Sequence, residues 1–437
     1  MTQQQIIQAV NECQTEFLTA LKKIMAINSV KGPETDGAPF GIGPKQALDA
    51  TLKLAEALGF KTGLVGNAMG YAQLGTNDQA YIAVVGHLDV VHEGTGWHYP
   101  PFDLTLDQGV LYGRGILDNK GPILSNLFAL AVLKRLDVPL SKTIRIIFGT
   151  DEESGSADVP LYLQTEQPPL YGYTPDCKYP AVYGERGVVA FDIITHLTDG
   201  SLQQLKTFKG NFDRSAVPDS LTVQLTKESQ IRQYTGKRAP SNAPELGLNA
   251  LTLFAQEVTD QHLLTGQLGD YLAWCSAALH QKHYGEGLGI DFADADSGAL
   301  ILTPFNMSLT GEQCQLSLSV RYPISISEET VMKKVSQQLP ANSQIKLTRR
   351  MPSTVFPKDH PMLAVMKASY ELLTGLDGTP VTTTGATYAR SMPNIVAFGP
   401  SFPGQKGIAH NKDEYMSLND LMTNMKIYAL TLATLAK

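Results

Sequence analysis

The sequence predicts an α/β fold, a mainly parallel sheet flanked by helices, interrupted by an inserted α+β domain. Three observations predict it. Short apolar, β-branched runs alternate with long amphipathic stretches up to about residue 185. The texture then changes to strands with period-2 alternation, and the α/β alternation returns from about Pro352. At 437 residues the chain is also too long for one ordinary core. The expected organisation is 1–185 and 353–437 as two segments of one α/β domain, with 186–352 inserted between them.

Taken in order, Ile6, Val10, Cys13, Phe17, Leu21 and Met25 recur at helical spacing and predict a helix over 5–26. "PKQALDATLKLAEALGF" repeats the pattern and stops at Gly59, a common helix terminator. "YIAVVGH" is dense enough to be a buried strand. "DNKGPILSNLFALAVLKRL" predicts a long helix with its apolar residues on one face, and "TIRIIFGTDEE" a second buried strand. In the insert, "GVVAFDIITHL", "SLTVQLT", "CQLSLSVRYPI" and "SQIKLTRR" read as strands, with helices near 246–258, 260–282 and 327–338. "PMLAVMKASYELLTG", "NIVAFGP" and "LNDLMTNMKIYALTLATLA" close the chain as helix, strand and helix.

Composition narrows the function. A net charge of -7, with basic residues clustered only in pairs such as Lys22-Lys23 and Arg349-Arg350, argues against nucleic acid as a partner. No run reaches 18 apolar residues, so no membrane-spanning helix is expected, and the N-terminal stretch lacks a signal-like apolar core. Cys13, Cys177, Cys275 and Cys314 are far apart and form no C-x-x-C pair, which suits a reducing compartment. The expected location is the cytoplasm.

The candidate chemistry sits where strands end, the place where open α/β sheets bind ligands. His87 and Asp89 lie two apart, so on an extended backbone they face the same side. Such a pair can be a satisfied core histidine, or a metal-bound imidazole with a carboxylate on its other nitrogen. Asp118 precedes a helix and alone would read as an N-cap. Glu152 and Glu153 repel each other, and burying both without a cation is expensive. Asp176 and His410 are unremarkable alone. Together, two histidines and four carboxylates make an oxygen and nitrogen set suited to zinc, manganese or cobalt. Two metals sharing a carboxylate need about five ligands and one free carboxylate as base, and this inventory supplies them.

The stretches "GHLDVV", "YGRGILDNKGP", "GTDEESGS", "YTPDCKYPAVYGERG", "VRYP" and "AHNKDEY" occur in that order along most of the chain. In them the sequence resembles the two-zinc peptidases that include carboxypeptidase G, aminoacylase, succinyl-diaminopimelate desuccinylase and carnosinase, and within that family the dipeptidase V, Xaa-His dipeptidase-like branch. The resemblance implies two divalent metal ions, zinc first, with His87 and Asp176 on one, Glu153 and His410 on the other, and Asp118 bridging. It implies that Asp89 orients His87, that Glu152 is the general base, and that the peptide after Asp118 is cis. The insert would be the family's lid, long enough to mimic a second subunit and so to favour a monomer. Arg321 would clamp the C-terminal carboxylate of a small peptide substrate, and Gly385 and Arg390 would belong to a glycine-rich substrate-binding turn. Thr384 and Ala386 stand where that turn usually has glycines.

Two lid positions depart from the family. Its oxyanion-stabilising histidine falls on Pro240, and its asparagine at the reaction centre falls on Ser215. His262, His280 and His283 follow nearby in sequence. A dipeptidase is the expected function. An N-acyl amino-acid deacylase is the alternative enzyme, and a non-catalytic metal-dependent peptide binder the alternative class.

Overall fold

The computed structural model describes residues 2–437. The chain forms two compact units. One runs to Tyr183 and resumes over Phe356–Val381 and Gly385–Lys437; the other comprises Gly184–Val355 and Thr382–Thr384.

The first unit is built on a twisted sheet. Its elements are α1 (Gln3–Glu12), α2 (Gln14–Met25), α3 (Ile42–Ala57), β1 (Lys61–Val65), β2 (Met69–Leu74), β3 (Tyr81–His87), α4 (Lys120–Arg135), β4 (Thr143–Gly149), β5 (Tyr171–Thr174), α5 (Pro361–Thr374), β6 (Ile395–Ala397) and α6 (Leu418–Leu435). Six strands of this nine-stranded sheet lie in the order β1-β2-β4-β3-β5-β6. β4, β3, β5 and β6 run parallel, while β1 and β2 add an antiparallel edge. Every residue of β3 and β4 is buried, as expected for strands covered on both faces.

Three local outcomes differ from the sequence expectation. The first helix is two: α1 ends at Glu12 and α2 begins at Gln14, with Cys13 at ψ 0° between them. The β1–β2 hairpin was not anticipated, because "KTGLV" and "MGYAQL" are short and each carries a glycine. α4 is buried on all sides from Lys120 to Leu133, not on one face. Its polar residues looked solvent-facing but are satisfied internally. Ser125 Oγ donates to the Gly121 carbonyl at 2.8 Å and Asn126 Nδ2 to that of Pro122 at 2.9 Å. Tyr173 donates to Asn126 Oδ1 at 2.6 Å. α4 thus packs between the sheet and α1, α2 and α6.

Arg145 is a charged group buried in this sheet. Its Nε donates to Gln73 at 2.7 Å and its Nη1 to Glu166 at 2.6 Å and Tyr162 at 3.0 Å. The guanidinium lies 4.0 and 4.3 Å from the ring centroids of Tyr71 and Tyr81.

In the second unit, the strands 301–310, 313–322, 187–196 and 343–351 form an antiparallel sheet in that order. A second sheet holds 205–210, 220–225 and 231–235. Helices Ala250–Gln261, Gly266–Leu279 and Glu328–Ser336 complete the unit. Phe254 and Leu272 from the helices share one core with Val189, Phe191, Leu318 and Val320 from the larger sheet. Strands 205–210, 231–235 and 301–310 were not read from sequence; the first two are only partly buried and carry lysine or arginine.

Removing Arg145 leaves the buried Gln73 and Tyr162 groups without their donor, while Glu166 keeps some access to water. Arg145→Met is therefore expected to lower stability by about 1–3 kcal/mol, read as a fall in the urea midpoint of unfolding.

Candidate metal centre

Parallel pairing places His87, the last residue of β3, opposite Gly149, the last residue of β4. The chain after β4 turns at once into a 3₁₀ turn, Glu152–Ser154. β5 ends at Thr174, just before Asp176. Three parallel strands thus deliver His87, Glu152, Glu153 and Asp176 to one carboxyl edge of the sheet. Asp118 arrives from the turn that opens α4, and its peptide to Asn119 is cis. His410 comes from the segment before α6, with a left-handed backbone at φ 63° that non-glycine residues seldom adopt.

The side chains interlock around Asp118. Its Oδ1 lies 3.0 Å from His87 Nε2 and its Oδ2 lies 3.1 Å from His410 Nε2. One carboxylate therefore spans both imidazoles. Asp176 Oδ2 stands 3.5 Å from His87 Nε2, and Glu153 Oε1 stands 3.0 Å from His410 Nε2. Ligand atoms of His87, Glu152 and Asp176 fall within 4.8 Å of one another, and so do those of His87, Asp118 and Glu153.

Asp89 has a wider reach than the sequence suggested. The nearest group to His87 Nδ1 is the Asp89 main-chain carbonyl at 2.9 Å, with the carboxylate at 3.5 Å. That carboxylate accepts the N–H groups of Glu152 at 3.3 Å and Glu153 at 3.1 Å. It therefore fixes the turn that presents both glutamates. Asn119, also missed, donates to the Pro175 carbonyl at 2.6 Å and to Asp176 Oδ1 at 3.2 Å. It stands in the quoted "LDNKG", but an asparagine before a helix reads as a cap.

The electrostatics are those of crowded acids. Burial, and next the charge of Asp176, push the Glu152 carboxyl well above its usual range, with His87 opposing. Burial and the charge of Asp118 also raise Glu153, and they push Asp176 up to about 7. Burial alone would lower His87, but the charge of Asp176 and hydrogen bonds to Asp118, Asp176 and Asp89 hold it well above its ordinary value. Hydrogen bonds to the carboxylates of Asp118 and Glu153 push His410 up to about 11. Burial would raise Asp118, but its two histidine partners hold it below the carboxylate range. Divalent cations would relieve this repulsion, and the donor set of imidazole nitrogens and carboxylate oxygens suits zinc, manganese or cobalt. The residues fit such ions.

The expected substrate-binding residues are divided between the units. In the first, Arg390 Nη2 donates to the Gly385 carbonyl at 3.3 Å. In the second, Arg321 Nη1 donates to the Thr384 carbonyl at 2.8 Å. Ser215 and Pro240 lie on one short ladder: Ala216 bridges Pro240, Ser241 N–H donates to the Ser215 carbonyl, and Val217 N–H to that of Ala239, both at 2.8 Å. The Ser215 hydroxyl is already engaged with Asp213 at 2.8 Å. His280 faces Thr252, 3.2 Å from its hydroxyl.

A model of peptidase family M20/M25/M40 matches residues 83–434. The chain belongs to this family. It is accordingly an enzyme, a metallopeptidase with the α/β fold of the group. "Putative dipeptidase YtjP" of Bacillus subtilis (strain 168) is 30% identical over 455 residues, covering 97% of this chain and 97% of that protein. Human carnosine dipeptidase 1 superposes with a TM-score of 0.61 at 16% identity, covering all of both chains. The Bacillus subtilis protein YXEP, described as a dinuclear metal binding peptidase from the M20 family, superposes with a TM-score of 0.55 at 12% identity, covering 97% of this chain and 99% of that one. Among the described residues of this peptidase, no helix is long and apolar enough to cross a membrane.

Because the crowded acids gain from a cation that the unfolded chain cannot gather, binding is expected to stabilise the fold. At a hundred times the dissociation constant the gain is about 2.7 kcal/mol. Added zinc or manganese should raise the thermal midpoint, and Asp118→Ala should abolish most of the rise.

Proposed function

We propose that this peptidase is a metal-dependent dipeptidase acting on small peptides with a free C-terminal carboxylate. The observation that carries the reading is the single carboxylate of Asp118 set between His87 and His410, with Asp176 and Glu153 beside them. The dipeptidase description of its Bacillus subtilis relative supports it. In this reading His87 and Asp176 hold one divalent ion, Glu153 and His410 the other, and Asp118 both, with zinc preferred over manganese or cobalt. Such ions supply positive charge that polarises the scissile carbonyl and makes water a nucleophile at neutral pH.

The remaining work falls to the chain itself. Glu152 accepts the proton of the attacking water and hands it to the leaving amine. Its buried, crowded setting raises its carboxyl above the usual range, the direction needed by a group that must return a proton as well as take one. Asp89 keeps Glu152 aimed by holding its N–H and that of Glu153. The planar fork of Arg321 is suited to a substrate carboxylate, and Gly385 and Arg390 are the further candidates for substrate binding.

A second reading rests on Pro240 and Ser215. Proline has no side-chain donor, and the Ser215 hydroxyl is engaged with Asp213. A chain lacking that oxyanion support could bind peptides through metal without turning them over. N-acyl amino-acid deacylation remains the alternative reaction, since it needs the same centre and differs only in the group removed.

A dipeptide and N-acyl amino-acid panel, run with zinc, manganese or cobalt and again with chelator, separates these readings. Chelator-sensitive cleavage of dipeptides is expected; cleavage of acyl amino acids alone would select the deacylase, and no cleavage at all would leave the binder. Glu152→Gln should lower kcat by about a hundred- to ten-thousandfold while metal content is kept. Restoring Pro240→His with Ser215→Asn should raise kcat by about a hundred- to a thousandfold if the oxyanion support is missing.

A further inference from the structure

We infer that Glu414 is the positioning residue that sets the geometry of the metal centre, by tying the segment of His410 to the turn of Asp118 and to the loop after Asp89. The inference rests on the two-metal reading above. Glu414 Oε1 accepts three main-chain N–H groups, from Gly115 at 3.1 Å, Leu117 at 2.9 Å and Asp118 at 3.0 Å. Its Oε2 accepts Arg114 Nη1 at 2.7 Å, and both side chains are almost fully buried, at 1% and 0% exposure. Arg114 Nη2 in turn donates to the carbonyls of His92 at 3.3 Å and Glu93 at 3.4 Å, and its guanidinium sits 5.1 Å from the Trp97 ring centroid. The Glu414 carbonyl accepts the N–H of Gly113 at 3.0 Å, so main chain and side chain grip the same turn.

The arrangement answers a specific need. Asp118 must keep one oxygen on the side of each histidine, where the two ions would be held, while Glu152, Glu153 and Asp176 crowd it. A carboxylate in that position is steered by where its main chain is held. Three N–H groups converging on one anionic oxygen are strong hydrogen bonds and fix the turn from Gly115 to Asp118. A buried ion pair is weak evidence for stability, since well-packed apolar residues often do as well. What Glu414 and Arg114 add here is the relative placement of His87, Asp118 and His410. Glutamine at 414 would keep the shape with only one acceptor oxygen. Its amide nitrogen would meet either Arg114 or the three N–H groups, a donor against donors in both cases.

The test titrates manganese(II) alone into the wild-type chain and Glu414→Gln. Affinity and stoichiometry are read by calorimetry, the spin coupling between bound ions by electron paramagnetic resonance, and the fold by circular dichroism. The wild type is expected to bind two ions as a coupled pair. E414Q is expected to keep its fold, to lose about ten- to a hundredfold in affinity for at least one ion, and to show an altered coupling. Its kcat should fall with KM little changed. Should E414Q not fold, Glu414→Asp, an anion with a shorter reach, is expected to show the same losses. Wild-type affinity and coupling in a folded variant would overturn the role of Glu414. Failure of the wild type itself to bind a pair of ions would instead remove the two-metal reading on which it rests.

Discussion

The structure depends on holding together groups that repel. Asp118, Glu152, Glu153 and Asp176 converge at one sheet edge, and their mutual charge and burial push three of them toward the protonated state. Their contacts with His87 and His410 are backed from behind, since hydrogen bonds to the neighbouring main chain recur around the centre. Asp89 holds the N–H groups of Glu152 and Glu153, Glu414 holds those of Gly115, Leu117 and Asp118, and Asn119 joins the carbonyl of Pro175 to the carboxylate of Asp176. Asp89 and Glu414 act on backbone next to candidate ligands and leave those carboxylate oxygens available, whereas Asn119 also donates to one oxygen of Asp176 itself.

This division of labour explains what could be read from the sequence. The ligand candidates were legible because each interrupts or closes an apolar pattern: His87 ends a buried strand, and Glu152 and Glu153 follow another. Their convergence was not contained in any local pattern, and the roles assigned to them came through family resemblance. The clamps were harder to see. Glu414 lies beside Lys412 and Asp413 in a polar run that resembles an ordinary solvated loop, and only the folded chain reveals that it is buried. Asp89 was visible as a partner of His87, but its hydrogen bonds to the Glu152–Ser154 turn cross between strands far apart in sequence.

The same limit applies to the fold. The parallel strands β3 and β4 were legible because burial on both faces leaves continuous apolar runs. The β1–β2 edge was not, since short strands containing glycine carry little signal. α4 shows the opposite failure: its pattern predicted apolar residues on one face only, but the helix is buried all round and the structure supplies internal partners for Ser125 and Asn126. Periodicity reports polarity, and polarity satisfied inside the protein looks the same as polarity satisfied by water.

The register between β3 and β4 carries a consequence for how the molecule matures. His87 faces Gly149 because seven residues of each strand are paired in order. A slip of one position would turn β4 over and shift Glu152 and Glu153 by about 3.3 Å along the strand. The full set of candidate ligands is therefore together only when these strands are paired in this register and the far C-terminal segment has brought in His410. A metal ion that needed the whole set would then discriminate between chains whose strands have found these partners and chains whose strands have not.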